Sequence, residues 1–445
     1  MSYPTVPVLN TQKLAIHGGT PAITAPAPLN RLHGPNEIGE EEIAAVTEVL
    51  RGKSLFRFGM DPSQSRVAQF EKLFAEKTGA PHVLAVNSGT SALIAGLIGI
   101  GVAPGDEVLV PAYTYVATPA AVLALGAYPV IVETDRSLTI DPADLERKIT
   151  ARTRAVIPVH MRGMPCDMDR IMEVATRRNL GVLEDCAQAN GGNYKGRPLG
   201  TWGHAGAFSF QQFKIITCGE GGALITNDRN VHDRAAIYHD SAWAFWMQKN
   251  QTEEEKAALQ SLSFLGENYR QSEVHGAIGL EQLKKRDRIL ERTRAIKRKL
   301  HAASTAIPGA KGEVRHDIEG DCGISLVFFM EDTAGARAVA AALRAEGVSC
   351  GTLFSKDFPD RHIFYHWHYI MEKRSPHRNG FPWTSPGMEC SVEYSREMCP
   401  QTVSQLECAV VMGITQTMSD EYVDQNCAAI RKVAEALKNG ELSVT

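Results

Sequence analysis

The sequence predicts an α/β fold, in which a three-layer domain with a mainly parallel sheet precedes a smaller α+β domain. Short apolar runs alternate with helical segments between residues 83 and 183, as strands joined by crossover helices do. Polar clusters follow several of these runs, at the carboxyl ends where open parallel sheets bind ligands. A second strand–helix pattern begins at Ile324, after a long charged helix, and it predicts the smaller domain.

The individual elements follow from hydrophobic periodicity and from the residues that end each run. The first helix has one apolar face, which is formed by Ile43, Val46, Val49 and Leu50. Helices are predicted at 40–51, 65–79, 92–101, 116–126, 168–179, 285–303, 334–346 and 423–437. Strands are predicted at 83–86, 108–110, 130–132, 155–160, 180–183, 205–210, 223–226 and 324–330. Residues 228–266, which include Trp243 and Trp246, predict a helix followed by a mobile loop.

These elements divide the chain into three predicted parts. Residues 1–36 are rich in proline and glycine and predict an ordered arm over the surface. Residues 37–300 form the predicted large domain, and residues 301–445 form the small C-terminal domain.

Composition excludes several classes of function. The 47 basic and 51 acidic residues give a net charge of −4, so no general attraction to nucleic acid or membranes is expected. No run approaches the roughly 20 apolar residues that span a bilayer, and the N-terminus lacks the pattern of a signal peptide. Nine cysteines without a CxxC spacing indicate reduced thiols in a cytoplasmic enzyme. His362, His366 and His368 lie close together, but no carboxylate or cysteine is spaced to complete a metal site, so no metal is predicted. These histidines instead predict a histidine-rich substrate lid from the small domain.

The stretch from Ser209 to Gly222 has the strongest indication of chemistry. It places Lys214 on a tight loop between two buried strands, five residues after Ser209 and just before a glycine-rich turn. A lysine that loses solvent there has a lowered pKa, and its amine becomes a usable nucleophile or base. The alternative is a lysine that contacts phosphate or is merely exposed.

Two further clusters lie at the ends of predicted strands. Ser88, Gly89, Thr90 and Ser91 open a helix, where free amides and hydroxyls favour phosphate, although a simple N-cap is the alternative. Asp185 closes a buried strand and requires a cationic partner, which a protonated ring nitrogen or an internal lysine or arginine could supply.

Aromatic and amide side chains complete the predicted set. Tyr113 and Tyr115 follow a strand and could stack on a flat ring, with core packing as the alternative. Gln188 could hold a ring hydroxyl, or it could face solvent. A phosphate cup, a ring platform, an acid for a pyridinium and a reactive lysine are the contacts that pyridoxal phosphate needs.

The same residues resemble the DegT/DnrJ/EryC1/StrS family of fold-type I, pyridoxal-phosphate-dependent aminotransferases, which act mostly on keto sugars and ketocyclitols. The resemblance covers roughly residues 37–300, and the C-terminal part only weakly. The motifs are Asn87-Ser-Gly-Thr-Ser-Ala-Leu93, Pro111-Ala-Tyr-Thr-Tyr-Val-Ala-Thr118, Glu184-Asp-Cys-Ala-Gln188, Ser209-Phe-x-x-x-Lys214 and Gly266-x-Asn-Tyr-Arg270.

The resemblance implies a role for each matched residue. Lys214 matches the lysine that condenses with the cofactor aldehyde, Asp185 the acid at the pyridine nitrogen and Gln188 the contact to the ring hydroxyl. Ser209, Thr90 and Ser91 match phosphate-binding residues, and Tyr115 matches the stacking aromatic. Asn268 matches an asparagine that reaches the phosphate of the neighbouring subunit, which implies a homodimer with shared active sites.

Substrate residues are less defined by the sequence. Arg162 could bind a substrate carboxylate, or it could be structural, and His160 could pack beneath the ring or contact substrate. His160-Met-Arg-Gly-Met-Pro165 also departs from the commoner His-Leu-x-Gly-x-Pro pattern of the family. The resemblance implies amino transfer from glutamate or glutamine to a keto sugar, ketocyclitol or related keto-polyol. Alternatives are dehydration and aromatisation of the 3-amino-5-hydroxybenzoate synthase type, amino-acid racemisation, or a non-enzymatic role.

Overall fold

The computed structural model describes residues 13–30, 32–58, 60–242, 252–261, 263–384 and 387–442. Its helices are α1 Glu40–Gly52, α2 Arg66–Thr78, α3 Gly89–Ile100, α4 Ala117–Ala124, α5 Pro142–Arg147, α6 Met168–Arg178, α7 Arg229–His239, α8 Glu253–Ser261, α9 Glu273–Ser304, α10 Thr333–Ala345, α11 His368–Met371, α12 Pro400–Glu407 and α13 Asp420–Lys438. Its strands are β1 His82–Val86, β2 Glu107–Pro111, β3 Tyr128–Val132, β4 Thr153–Val156, β5 Gly181–Asp185, β6 Asn193–Tyr194, β7 Arg197–Pro198, β8 Ala205–Ser209, β9 Gly222–Thr226, β10 Lys311–Gly312, β11 Ser325–Phe329, β12 Cys350–Thr352 and β13 Ala409–Gly413.

The larger sheet has seven strands in the order β1-β9-β8-β5-β4-β2-β3. The neighbours from β8 to β3 are parallel, whereas β9 runs antiparallel to both β1 and β8. Helices cover both faces, because one apolar core contains residues of α3, α4 and α7 and the other contains residues of α2, α6 and α9. The predicted three-layer α/β fold with a mainly parallel sheet is therefore confirmed.

A second sheet of four antiparallel strands, in the order β10-β11-β13-β12, lies in the C-terminal part of the chain. Its core includes apolar residues of α10 and α13, together with Leu14 and Ala25 from the N-terminal arm. The buried carboxylate of Glu346 accepts hydrogen bonds from the backbone N–H groups of Ala15 and Ala22 at 2.8 and 2.9 Å. The described part of the arm is thus attached to the C-terminal part of the chain.

The strand predicted at 155–160 is shorter in the structure and ends at Val156. Pro158 has no backbone N–H to continue a regular ladder. The chain remains beside β5, because the N–H of His160 donates to the carbonyl of Asp185 at 3.1 Å. His160 therefore lies next to Asp185 although it is outside the strand.

The apolar face of α1 does not meet the core of this chain. Ile43 and Leu50 are 54% and 55% exposed, while Glu42 and Ala45 are buried. Glu42 is buried because it accepts hydrogen bonds from the side chains of Gln282 and Lys285 on α9 at 2.9 Å. Amphipathic periodicity predicted the helix correctly, but the face with Ile43 and Leu50 is exposed to solvent in the single chain.

Helix α7 confirms the first half of the prediction for residues 228–266. Residues 243–251, with Trp243 and Trp246, lie outside the described residues. Within the described ranges, every helix is too short or too polar to cross a bilayer.

Candidate functional site

Lys214 lies on the loop between β8 and β9, as predicted, and its backbone is held locally by a hydrogen bond from its N–H to the carbonyl of Gln211 at 2.9 Å. Burial lowers the pKa of Lys214, and the negative charges of Asp185 and Glu220 oppose this effect. A larger share of the amine is therefore uncharged than in an exposed lysine, which is what a nucleophile or base requires.

Asp185 ends β5 and is buried. Its Oδ1 accepts a hydrogen bond from the N–H of Ala187 at 3.0 Å, and its Oδ2 accepts one from Thr118 Oγ1 at 2.9 Å. Burial raises the pKa of Asp185, and these two donors oppose the rise. Thr118 is a functional neighbour that our residue-level reasoning missed, although it lies within the motif that contains Tyr115. A cation placed beside Asp185 would find a carboxylate already oriented by two donors.

The first turn of α3 faces the end of β8. Ser88 Oγ caps the helix by accepting from the N–H of Ser91 at 3.0 Å, and Ser91 Oγ donates to Asn87 Oδ1 at 2.6 Å. A side chain on Gly89 would place its Cβ 2.7 Å from the Cβ of Ser209, so the glycine lets the strand end approach the helix. Ser88 is therefore the N-cap of α3. The N–H of Ala92 is the first that donates to a backbone carbonyl within the helix, that of Ser88 at 3.1 Å. The N–H groups of Gly89 and Thr90 precede it and can donate to an anion.

The two tyrosines have different environments. Tyr113 is fully buried, and its hydroxyl accepts from Arg162 Nε at 2.8 Å, which favours the core-packing alternative for Tyr113 and the structural one for Arg162. Tyr115 is 39% exposed, and its ring centroid lies 5.2 Å from that of His362. Gln188 Oε1 accepts from the N–H of Arg162 at 3.1 Å, so that loop is fixed beside Gln188.

His160 is completely buried, and both of its ring nitrogens have partners. Nδ1 accepts from the N–H of Cys166 at 3.1 Å, so Nε2 carries the proton and donates to Glu184 Oε2 at 3.0 Å. These contacts favour the packing alternative for His160. His160, Glu184 and Cys186 also form the group of metal-ligating atoms that comes together in the described chain, within 4.8 Å of one another. Their atoms already hydrogen-bond to each other and to backbone amides, and the group carries no metal proposal.

A cavity of about 210 Å³ opens at Lys214. It is lined by His33, Gln188, Phe213, Lys214, Ile215, Ile324 and His362. His33 comes from the arm, and our sequence reasoning did not assign it to this site. His362 belongs to the histidine-rich segment that the sequence predicts as a substrate lid from the small domain. His362 also lines an open groove of about 620 Å³ together with Tyr115.

Backbone contacts attach the segment around His362 to the large sheet. The carbonyls of Arg361 and His362 accept from the N–H groups of Val116 and Thr114 at 2.9 and 2.8 Å, and Phe364 N–H donates to Ala112 at 3.0 Å. A histidine-containing cover from the C-terminal part therefore lies directly over the loop that carries Tyr115.

Asn268 is exposed, and its Oδ1 accepts from the N–H of Arg270 at 3.2 Å. It does not line the cavity at Lys214. Its predicted role toward a neighbouring subunit stays a prediction.

Comparisons with known proteins agree with this arrangement. The model of the DegT/DnrJ/EryC1/StrS aminotransferase family matches residues 36–379. A GDP-perosamine synthase of Caulobacter vibrioides is 42% identical over 226 residues, which are 50% of this chain and 57% of that protein. An L-glutamine:scyllo-inosose aminotransferase of Streptomyces griseus is 37% identical over 261 residues, 58% of this chain and 61% of that protein. The chain spans about three-fifths of the length of these relatives.

Solved structures extend the likeness to nearly the whole chain. A 3-amino-5-hydroxybenzoic acid synthase superimposes with a TM-score of 0.73 over 94% of this chain and 100% of that one, at 24% identity, and shows the fold alone. DesV of S. venezuelae, in complex with a ketimine intermediate, gives a TM-score of 0.70 over 89% of this chain and 95% of that one, at 29% identity.

Proposed function

Because the chain belongs to the DegT/DnrJ/EryC1/StrS aminotransferase family, we propose that it is a pyridoxal-phosphate-dependent aminotransferase. It moves an amino group from glutamate or glutamine to a keto sugar, a ketocyclitol or a related keto-polyol. The observation that carries the proposal is Lys214, whose pKa burial lowers, in a cavity next to the buried carboxylate of Asp185. The names of the relatives, which include sugar and cyclitol aminotransferases, support the class of acceptor.

The residues present fit pyridoxal phosphate. The Lys214 amine would hold its aldehyde carbon, Asp185 its ring nitrogen and Gln188 its ring hydroxyl. The phosphate would be held by a set at the start of α3 and the end of β8: Gly89, Thr90, Ser91 and Ser209. Tyr115 would cover one face of the ring. When bound, the group supplies an electron-withdrawing ring that stabilises negative charge on an adjacent carbon.

The chain's own residues then move protons. The Lys214 Nζ first takes the proton from the α-carbon of the amino donor, as a general base. It later releases this proton as a general acid. Asp185 stabilises positive charge at the ring nitrogen, because its carboxylate is oriented by Thr118 and the N–H of Ala187. The cover around His362 forms one wall of the cavity.

The donor half-reaction tests this function. Purified protein loaded with pyridoxal phosphate should be yellow, and addition of L-glutamate or L-glutamine should remove the yellow absorbance with release of one keto acid per site. Lys214→Ala should abolish this change, and Lys72→Ala, which alters an exposed lysine of α2, should not. Retention of the full change in Lys214→Ala would contradict the proposal.

Product analysis separates the alternatives. Transamination yields one keto acid for each amino group that is transferred, whereas a racemase yields none and a dehydrating enzyme releases water from its substrate. The fold likeness to 3-amino-5-hydroxybenzoic acid synthase does not decide among them, because folds host several chemistries.

The same proposal includes a homodimer with shared active sites. The open face of α1, with Ile43 and Leu50, supports an interface, as does the exposed ring of Phe213 beside Lys214. If Asn268 completes the partner's site, a mixture of inactive Lys214→Ala and Asn268→Ala should regain about a quarter of the wild-type activity after subunit exchange. No recovery of activity despite demonstrated subunit exchange would exclude shared active sites.

Nine free cysteines support a cytoplasmic location.

A further inference from the structure

The N-terminal arm reaches the loop of Lys214. The N–H of Gly34 donates to the carbonyl of Lys214 at 3.2 Å. A Cβ on Gly34 would lie 2.7 Å from the backbone nitrogen of Thr217, so only glycine allows this approach. The neighbouring residue, His33, is thereby placed in the wall of the cavity at Lys214.

The hydrogen bonds of Gln416 define the tautomer of His33. Gln416 Nε2 donates to the carbonyl of His33 at 2.9 Å and to Glu37 Oε1 at 3.0 Å, so the amide orientation is fixed. Gln416 Oε1 lies 3.0 Å from His33 Nδ1 and must therefore accept a proton from it. Nδ1 carries the hydrogen, and Nε2 of the neutral ring has a free lone pair.

The ring that carries this lone pair lines the cavity. His33 is only 6% exposed, and burial lowers its pKa, so the neutral form is favoured. Nε2 accepts no hydrogen bond from the residues that the structure describes, yet it is not sealed in the interior. Gln416, which holds the opposite edge of the ring, does not line the cavity.

We propose that His33 Nε2 accepts the proton that the amino donor must lose in the Lys214 cavity before its nitrogen can act as a nucleophile. This inference rests on the proposed aminotransferase function. The N–H bond of the donor's ammonium breaks, its electron pair stays on nitrogen, and the proton moves to Nε2, which makes His33 an imidazolium. The proton then passes to solvent, so no oxidant or further reactant is needed.

Other charged groups near His33 are accounted for. Lys214 and His362 line the same cavity, and Glu37 accepts a hydrogen bond from Gln416, the residue that holds the His33 ring. The negative charges of Asp185 and Glu220 raise the pKa of Lys214 against the effect of its burial. His362 donates through Nδ1 to Asp360 Oδ1 at 2.8 Å, so replacing it would disturb a carboxylate contact as well as remove a base. His33, whose partner is an uncharged amide, offers the cleaner test.

The test uses full-length holoenzyme and L-glutamate in the donor half-reaction, followed as loss of yellow absorbance between pH 6.5 and 9 (roughly the range in which an imidazole and an amine change protonation). In His33→Asn the amide can still donate to Gln416, but the base is removed. His33→Gln keeps a polar group near Nε2 that cannot take a proton. His17→Asn, at an exposed position of the same arm, is the control.

Both His33 variants should bind pyridoxal phosphate as the wild type does, and their rates at pH 7 should fall about a hundredfold, a typical loss for a missing base. The deficit should shrink as pH rises, because more of the glutamate arrives as free amine. A loss that is equal at every pH, or no loss in either variant, would overturn the proposal. Wild-type protein that forms no yellow complex would instead refute the proposed function.

Discussion

The substitution Gly222→Ala tests whether the contact between β9 and the start of α3 forms the anion site. Gly222 lies in β9 between Val86 of β1 and Ser209 of β8. A Cβ at this position would lie 2.3 Å from the carbonyl oxygen of Ser88 and 2.8 Å from the nitrogen of Gly89. Both atoms belong to the backbone at the N-terminus of α3, so no side-chain rotation can relieve the contact.

The magnitude follows from these distances. An ordinary contact begins near 3.4 Å, so the start of α3 must shift by about 1 Å. Overpacking of this kind lowers the free energy of unfolding by about 1–3 kcal/mol. We expect a loss near the upper end, about 3 kcal/mol, because the contacted atoms belong to the backbone and only a backbone shift can relieve the contact. The same shift misplaces the amides of Gly89 and Thr90. Loss of one hydrogen bond to a charged phosphate, about 1.5–3 kcal/mol, weakens pyridoxal phosphate binding at least about tenfold.

Gly351→Ala in β12 is the matched control, because a Cβ there meets no atom within 4 Å. It should be neutral or stabilising by up to about 1 kcal/mol, since alanine restricts the unfolded chain. Urea unfolding of the cofactor-free protein and absorbance titration with pyridoxal phosphate provide the two readouts. Equal unfolding midpoints and equal affinities for Gly222→Ala and Gly351→Ala would refute the reasoning.

Three further substitutions test charge and hydrogen bonding. Burial raises the pKa of Asp185, so the folded state favours its protonated form, and the stability contributed by this group is gained as pH falls through the folded pKa. Asp185→Asn should therefore stabilise the cofactor-free protein by roughly 1–3 kcal/mol at pH 7.5, less near pH 5 in urea titrations, and still weaken cofactor binding. Thr118→Val removes the donor to Asp185 Oδ2 and should cost about 1–3 kcal/mol in urea unfolding, whereas an unchanged midpoint would show that water replaces the hydroxyl. In Lys297→Met, the buried carboxylates of Glu313 and Asp321 lose their cation, which lies 2.6 Å from Glu313 in the wild type. The free energy of unfolding should fall by about 3–5 kcal/mol in the same assay.

Local sequence patterns predicted the parts of the site that lie on continuous segments. The loop of Lys214, the strand end at Asp185 and the helix start at Ser88 each depend on a few neighbouring residues, and the structure has each element where the pattern indicates it. The parallel sheet then brings these strand ends to one edge without further information. Thr118 could have been predicted as well, because it lies in the first turn of the helix that follows Tyr115.

Contacts between distant segments were not predictable in this way. His33 is far from Lys214 along the chain, and its position depends on Gln416, which is farther still. Periodicity and turn signals describe neighbouring residues, so they do not indicate which distant segments will be in contact. The contact between His33 and Gln416 forms only when both parts of the chain have folded. The apolar face of α1 shows the same limit, because periodicity indicates that Ile43 and Leu50 will be covered but not by which chain.

Burial acts in opposite directions on the two central groups. It lowers the pKa of the Lys214 amine and raises the pKa of the Asp185 carboxyl, so the cofactor-free cavity favours uncharged forms of both. The two donors to Asp185 favour its carboxylate, and they hold it in one orientation. A cation at that position would therefore shift Asp185 to its charged form without rearranging its neighbours. Burial lowers the pKa of Lys214, and the negative charge of Asp185 opposes this effect. Once the carboxylate is paired with another cation, this opposition weakens, so a larger share of the Lys214 amine is uncharged and nucleophilic at neutral pH.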